Sequence, residues 1–212
     1  MSEPTRGDGL HPPAAYQRDD EAVDGEFYLY PRRVVHIDDG AIAALGSLYA
    51  ELLSPGGRVL DLMSSWRSHL PAALRACEVV GLGMNAEEMT DNPQLTTSIV
   101  HDLNHDPRLP FGDGEFDGAM CAVSIQYVLH PLRVFREVRR VLRPGAPFVV
   151  SFYNRCFPTK AVALWLGTGD RRHVELVRTY FEAAGHWADV TAEDRSPDGS
   201  GDPLYAVWAR AA

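Results

Sequence analysis

Three observations predict an α/β fold with a doubly wound, mostly parallel seven-stranded sheet, helices on both faces and a C-terminal antiparallel hairpin. First, five short apolar runs (residues 58–63, 78–84, 97–103, 116–123 and 147–153) follow one another from the end of the first helical pattern. They are separated by segments of the length and periodicity that right-handed βαβ units require. Second, two further runs, 186–191 and 204–209, flank an acidic loop rich in Gly and Pro, which pairs them as a hairpin at the sheet edge. Third, 212 residues with 45% hydrophobic and 23% charged content fill one core, and no segment repeats another.

In order, residues 1–25 carry Pro, Gly and acid without apolar periodicity, so a flexible N-terminal segment is expected there. Residues 26–56 are expected to form a lid segment and a helix, and 57–212 the main domain. The lid stretch 27–37 concentrates Tyr28, Tyr30, Arg32, Arg33 and His36, heavy decoration for a linker. Asp38 or Asp39 is the expected N-cap of a helix whose apolar positions are Ile42, Leu45, Tyr49 and Leu52, closed by Pro55-Gly-Gly.

Val59, Leu60 and Leu62 then make a strand interrupted by Asp61 and followed by small polar residues, with a helix expected from Leu70 or Pro71. The carboxyl end of such a first strand is where doubly wound sheets bind nucleotide-like ligands. Downstream, residues 132–143 form the clearest helix, with Leu132, Phe135, Val138, Val141 and Leu142 inward and Arg133, Arg136, Arg140 and Arg143 on the opposite face. That basic stripe reads as a solvated face. A helical pattern ends near Leu166, and another through Val174, Val177, Phe181 and Ala184 stops at Gly185.

Charge and composition exclude several classes. A net charge of -9 and a pI near 5.3 oppose a phosphate-contacting surface, so no nucleic acid is expected as partner. No run approaches the ~18 apolar residues of a membrane span, and the first residues lack a signal-peptide pattern, so a cytoplasmic protein with no membrane partner is expected. Cys77, Cys121 and Cys156 are widely spaced and read as reduced, buried thiols. His101, Asp102, His105 and Asp106 sit at a strand end running into Pro107, where the spacing does not suit a metal, and no metal is expected.

Two carboxylates stand at strand ends, where each can cap a nearby turn or contact a ligand. Asp61, at a strand end, can orient the amides of the turn or accept from a ligand ammonium. Asp102, after Ile99 and Val100, can accept from an exocyclic amine while Leu103 covers a ring.

Two downstream blocks carry a specific signal: LPFGDGEFD at residues 109–117, and EVRRVLRPG at 137–145 leading to FVVS at 148–151. In order and spacing they resemble the class I S-adenosylmethionine-dependent methyltransferases, type 11 small-molecule branch, over about residues 55–210. The resemblance implies a Rossmann-like fold, S-adenosylmethionine as cofactor and a small-molecule acceptor. It puts Asp61 near the methionine end and Asp102 with Leu103 at the adenine, with Gly83, Met84 and Asn85 following the second strand.

The chain departs from the family pattern at two places. Where the family turn carries glycines stand Met63, Ser65 and Arg67, and where it carries the acid that binds both ribose hydroxyls stands Gly83. Ser64, Ser65, Arg67 and His69 are therefore candidates for the amino-acid portion of the cofactor, and Asn85 for the ribose. Ser124, Gln126, Tyr127 and His130 follow the fourth strand, and Tyr153, Asn154 and Arg155 the fifth. His36 and Tyr127 are the leading base or orienting candidates. Non-methylating chemistry on the same fold, such as cyclisation, and a catalytically silent binding protein stay open as alternatives. A nicotinamide-dependent enzyme does not fit, because no glycine fingerprint is present.

Overall fold

The computed structural model describes residues 6–75, 77–199 and 201–212. Seven strands form one sheet: β1 (Arg58–Leu62), β2 (Glu78–Gly83), β3 (Thr97–Val100), β4 (Gly118–Ala122), β5 (Pro147–Phe152), β6 (Trp187–Asp194) and β7 (Tyr205–Ala211). Their order is β3-β2-β1-β4-β5-β7-β6. The pairings among β1 to β5 are parallel, whereas β7 runs antiparallel between β5 and β6. The order reverses at β1 and β4, the crevice where such sheets bind ligands.

The helices are α1 (Asp24–Phe27), α2 (Asp39–Leu52), α3 (Ala86–Thr90), α4 (Pro131–Val141), α5 (Ala163–Leu166) and α6 (Asp170–Ala184). One face of the sheet packs α4 and α6 through Val134, Phe135, Val138, Val177 and Phe181, and the other packs α2 through Leu45, Leu48 and Tyr49. Asp38 is the N-cap of α2, its side chain accepting from the Ala41 amide at 2.9 Å. Gly185 closes α6 with φ of 76°, a conformation that favours glycine. No helix among the described residues is long and apolar enough to cross a membrane.

Two expectations change. The helix expected from Leu70 or Pro71 is only a 3-10 turn, Ala72–Leu74, so the described residues between β1 and β2 carry almost no helix. This loop is held instead by side chains of the site. The described part of the N-terminal segment is packed rather than loose: 3-10 turns occupy Arg6–Gly9 and Pro13–Tyr16, and Tyr16 is fully buried with its hydroxyl 3.3 Å from that of Tyr180. Tyr16 carried no periodic partner in sequence, because the surface it fills belongs to α6. The arginine face of α4 and its C-terminal end is solvated as expected, with Arg133, Arg136 and Arg143 exposed while making contacts within the chain. Arg133 pairs with Asp8, Arg140 with Glu137 and Asp113, Arg143 with Asp117, and Arg136 donates to the carbonyl of Ala184.

Candidate active site

A single cleft lies beyond the carboxyl ends of β1, β2 and β4, under the strap formed by residues 23–36. It is lined by every residue proposed above as catalytic or cofactor-binding: His36, Asp61, Met63, Ser64, Ser65, Arg67, His69, Gly83, Met84, Asn85, Asp102, Leu103, Ser124 and Tyr127. Asp24, Arg32, Trp66, Glu88, Asn104 and Phe157 line it too, and sequence reasoning did not single them out for this role. Tyr28 also faces the cleft. Tyr30, Gln126, His130, Tyr153, Asn154 and Arg155 are not among the lining residues. Tyr30 projects outward, Gln126 turns back to the carbonyl of Val123 at 2.8 Å, and His130 is buried 3.6 Å from Asp8.

The turn after β1 is organised by Asp61. Its Oδ2 accepts from the hydroxyls of Ser64 (2.7 Å) and Ser68 (2.6 Å), inside the protein. Burial pushes the Asp61 carboxyl up to about 6, against the opposing effect of Ser68 and Ser64. Asp61 thus orients hydroxyls rather than the amides expected of it. The Asn92 amide donates to the carbonyl of Ser65 and to the Ser68 hydroxyl, both at 2.9 Å, and the Gln94 amide to the carbonyl of Leu70 at 2.7 Å. Ser64, expected to face the amino-acid portion of a cofactor, therefore serves the turn itself, and Ser65, expected there too, serves Glu88 at 2.6 Å. Arg67, stacked on the Trp66 ring at 3.9 Å, and His69 remain for that portion.

Without the family glycines the backbone still takes the glycine-like conformation. Met63 and His69 have φ of 59° and 57°, and Val123, at the carboxyl end of β4, has 48°. Left-handed backbone is costly for side-chain-bearing residues and most unusual for a β-branched one, and it concentrates where structure over-determines it. Met63→Gly and Met63→Ala both remove the side chain, but only glycine relieves the backbone. The glycine variant is expected to be the more stable by about 1 kcal/mol, read from urea midpoints at equal slope.

At the end of β2 the missing acid has a steric cause. A Cβ on Gly83 would overlap the carbonyl oxygen of Ser64 and press on Met89. The Ser64 amide meanwhile donates to Leu82 at 2.9 Å, so the turn runs directly across the strand end. Asn85 is not free to replace the acid. Its Oδ1 caps α3 by accepting the Glu88 amide at 2.9 Å, and its Nδ2 donates to the carbonyls of Tyr28 (2.9 Å) and Leu29 (3.3 Å). Glu88, one turn further, points a buried carboxylate into the cleft. It was legible only as one of two acids in the first turn of a short helix.

The other wall is aromatic. The His36 ring meets Phe157 edge-on at 5.2 Å, and Tyr127 stacks on Phe157 at 6.2 Å. His36 Nδ1 lies 3.3 Å from the Tyr153 hydroxyl. Burial lowers the His36 imidazole below its ordinary range, and burial first, with the neighbouring His36 and Arg67 adding to it, lowers His69 to about 4. Both are neutral at pH 7. Burial raises the Tyr127 phenol, whose oxygen accepts from the Phe157 amide at 2.8 Å. That removes Tyr127 from consideration as a base and leaves it an orienting group. Asp102 Oδ1 accepts from the Asn104 amide at 2.9 Å and the His105 amide at 3.3 Å, which fixes the carboxylate at the cleft. Cys121 is buried and Cys156 half-buried, and burial raises both thiols, an environment of inert rather than nucleophilic sulfur.

Residues 65–150 match the family described as methyltransferase domain, type 11, a span that starts inside the divergent turn and ends within β5. That stretch, less than half of the chain, is similar to a methyltransferase domain. The biotin biosynthesis bifunctional protein BioHC of Teredinibacter turnerae is 32% identical to it over 111 residues, which are 50% of this chain and 20% of that protein. The chain thus spans about a fifth of the length of this curated relative. Among solved structures, the [4+2]-cyclase SpnF superposes with a TM-score of 0.62 at 19% identity, covering 88% of this chain and 91% of that one. A methyltransferase described as dependent on S-adenosylmethionine, from Aquifex aeolicus, gives 0.57 at 18%, covering 82% and 92%. At these identities the superpositions speak for the fold of the domain.

Proposed function

We propose that this chain is an S-adenosylmethionine-dependent methyltransferase acting on a small-molecule acceptor. The observation that carries the reading is the meeting, in one cleft at the switch point of the sheet, of every residue that stands at a cofactor position of the family. The residues present fit the group. Gly83 is held side-chain-free by the carbonyl beneath it, Asp102 and Leu103 line the cleft and suit a ring with an exocyclic amine, and Arg67 and His69 line it as well. When bound, S-adenosylmethionine supplies an activated methyl group.

The protein's part is positioning, with in-line approach of the acceptor worth several kcal/mol through proximity alone. Phe157, Tyr127 and Tyr28 line the cleft with aromatic rings against which a planar acceptor can rest. Arg32, whose guanidinium sits over the Phe27 ring at 4.0 Å, forms no ion pair with a carboxylate among the described residues and favours an anionic acceptor. His36, neutral at working pH, can take a proton from an acceptor hydroxyl or ring nitrogen.

Calorimetry with S-adenosylmethionine and S-adenosylhomocysteine, followed by screening of planar and anionic acceptors, tests the reading. Binding of both, with methyl transfer to one acceptor class, is expected. Failure of both to bind at millimolar concentration overturns it, and binding without transfer to any acceptor favours non-methylating chemistry. His36→Ala is expected to lower turnover on a protonated acceptor by about 100-fold while leaving S-adenosylhomocysteine affinity unchanged. Because the imidazole is depressed below its ordinary value, wild-type turnover should stay flat between pH 7 and 8 and fall only under more acidic conditions. Unchanged turnover in the alanine variant removes His36 from the reaction.

A further inference from the structure

The carboxylate of Glu88 has no task that explains both its burial and its position. It is buried, it lines the cleft, and it pairs with no Lys, Arg or His among the described residues. Its two oxygens receive one donor each: Oε1 the Arg32 amide at 2.5 Å, and Oε2 the Ser65 hydroxyl at 2.6 Å. An ionised carboxylate has about four acceptor sites, so about two remain. Burying such a group with half its capacity unused is costly unless a ligand completes it.

The residues expected at the ribose are poorly placed to accept from both of its hydroxyls. Gly83 has no room for a side chain, and both ends of the Asn85 amide are engaged. Glu88 reaches the same cleft from the first turn of α3, and its clamp to Ser65 ties it to the turn that displaced the acid.

We infer that Glu88 is the acceptor for the vicinal ribose hydroxyls of an adenosine-containing ligand, the acid having moved from the strand end to the following helix. The assignment rests on the proposed cofactor reading. It also explains why the strap and the turn meet at this residue: the same carboxylate holds the Arg32 amide of the strap and the Ser65 hydroxyl of the turn, so both walls of the ribose site are set by one group.

The test is calorimetric and needs no turnover. Wild type and Glu88→Gln are titrated with S-adenosylhomocysteine and with its 2′-deoxyribose counterpart. Glutamine keeps an oxygen for one of the present donors but loses the charge and half of the acceptor capacity. Wild type is expected to prefer the ribose ligand by about tenfold or more, as for hydrogen bonds to a charged group. In Glu88→Gln the preference should collapse to about twofold. A residue that merely supported the strap would weaken both ligands equally and leave the ratio intact, and that result overturns the assignment alone. Absence of either ligand from the wild type overturns the cofactor reading and this assignment with it. Glu88→Asp, which keeps the charge but withdraws it by one methylene, is the second variant should glutamine not fold. It too is expected to lose the ribose preference, and an intact preference there overturns the assignment.

Discussion

Gly83→Asp, which restores the residue that the family pattern places at the end of β2, is expected to abolish cofactor binding and to destabilise the protein by about 3 kcal/mol or more. The reason is in the route of the turn. The Ser64 carbonyl occupies the volume into which the new Cβ would project, and Met89 lies behind it. The Ser64 amide is at the same time fixed to Leu82, so the turn cannot step aside without losing a hydrogen bond to the strand. Relaxation would have to propagate to Asp61, whose Oδ2 accepts the Ser64 hydroxyl. Denaturation in urea measures the stability term, and titration with S-adenosylhomocysteine measures the site. A variant as stable as wild type that binds more tightly would mean that the turn yields easily and that the glycine is incidental.

The second large effect is expected at Asp61. Asp61→Ala leaves the hydroxyls of Ser64 and Ser68 without the acceptor they share, and buried donors of this kind cost about 1–3 kcal/mol each. Asp61→Asn offers a carbonyl oxygen to the same hydroxyls and is expected to fold, but its pH profile should differ in a defined way. The folded Asp61 carboxyl lies at about 6, raised by burial from 3.8. The native state therefore holds more protons than the unfolded chain between pH 3.8 and 6, and this group's contribution to stability falls as pH rises through that window. The difference amounts to about 3 kcal/mol.

His69 works in the opposite direction. Its imidazole, lowered to about 4 from 6.5 by burial first and the neighbouring His36 and Arg67 second, takes up fewer protons folded than unfolded. Stability from His69 is fully present above pH 6.5 and is lost as pH falls toward 4, with His36 adding to the same trend. In the wild type the carboxyl and the imidazoles largely offset each other from pH 4 to 6. Asp61→Asn removes one side of that balance, so its stability should climb with pH across the window in which wild type is flatter. Parallel profiles for the two proteins would show that Asp61 is not held in the state described.

The two variants together locate what is distinctive in this domain. The family route binds ligand with glycine backbone and a strand-end acid. Here a polar turn, fastened by Asp61, Asn92, Gln94 and Glu88, takes the same left-handed conformation at Met63 and His69 and passes over the place where the acid would be. Read along the chain, Met63, Ser65, Arg67 and Gly83 are substitutions that remove ligand contacts. In the fold they are parts of one arrangement, because a turn lying on Gly83 requires that position to be bare.

By itself the sequence determined the framework and the location of the site. Short apolar runs, helical stripes and stop signals act locally, so β1 to β7, the Asp38 cap and the Gly185 stop were all readable from neighbours within a few residues. The blocks at 109–117 and 137–145 fixed the register of those elements, and with it the positions of Asp61, Asp102 and Leu103 around the cleft. Only the tertiary structure decided what the polar groups do there. Ser64 and Ser68 serve Asp61, Asn85 serves α3 and the strap, Tyr16 fills a surface offered by α6, and Glu88 is left with acceptor capacity facing the cleft. Hydrogen-bond capacity is settled by partners far along the chain, and steric exclusion at Gly83 by a carbonyl nineteen positions earlier. Neither is written in local pattern.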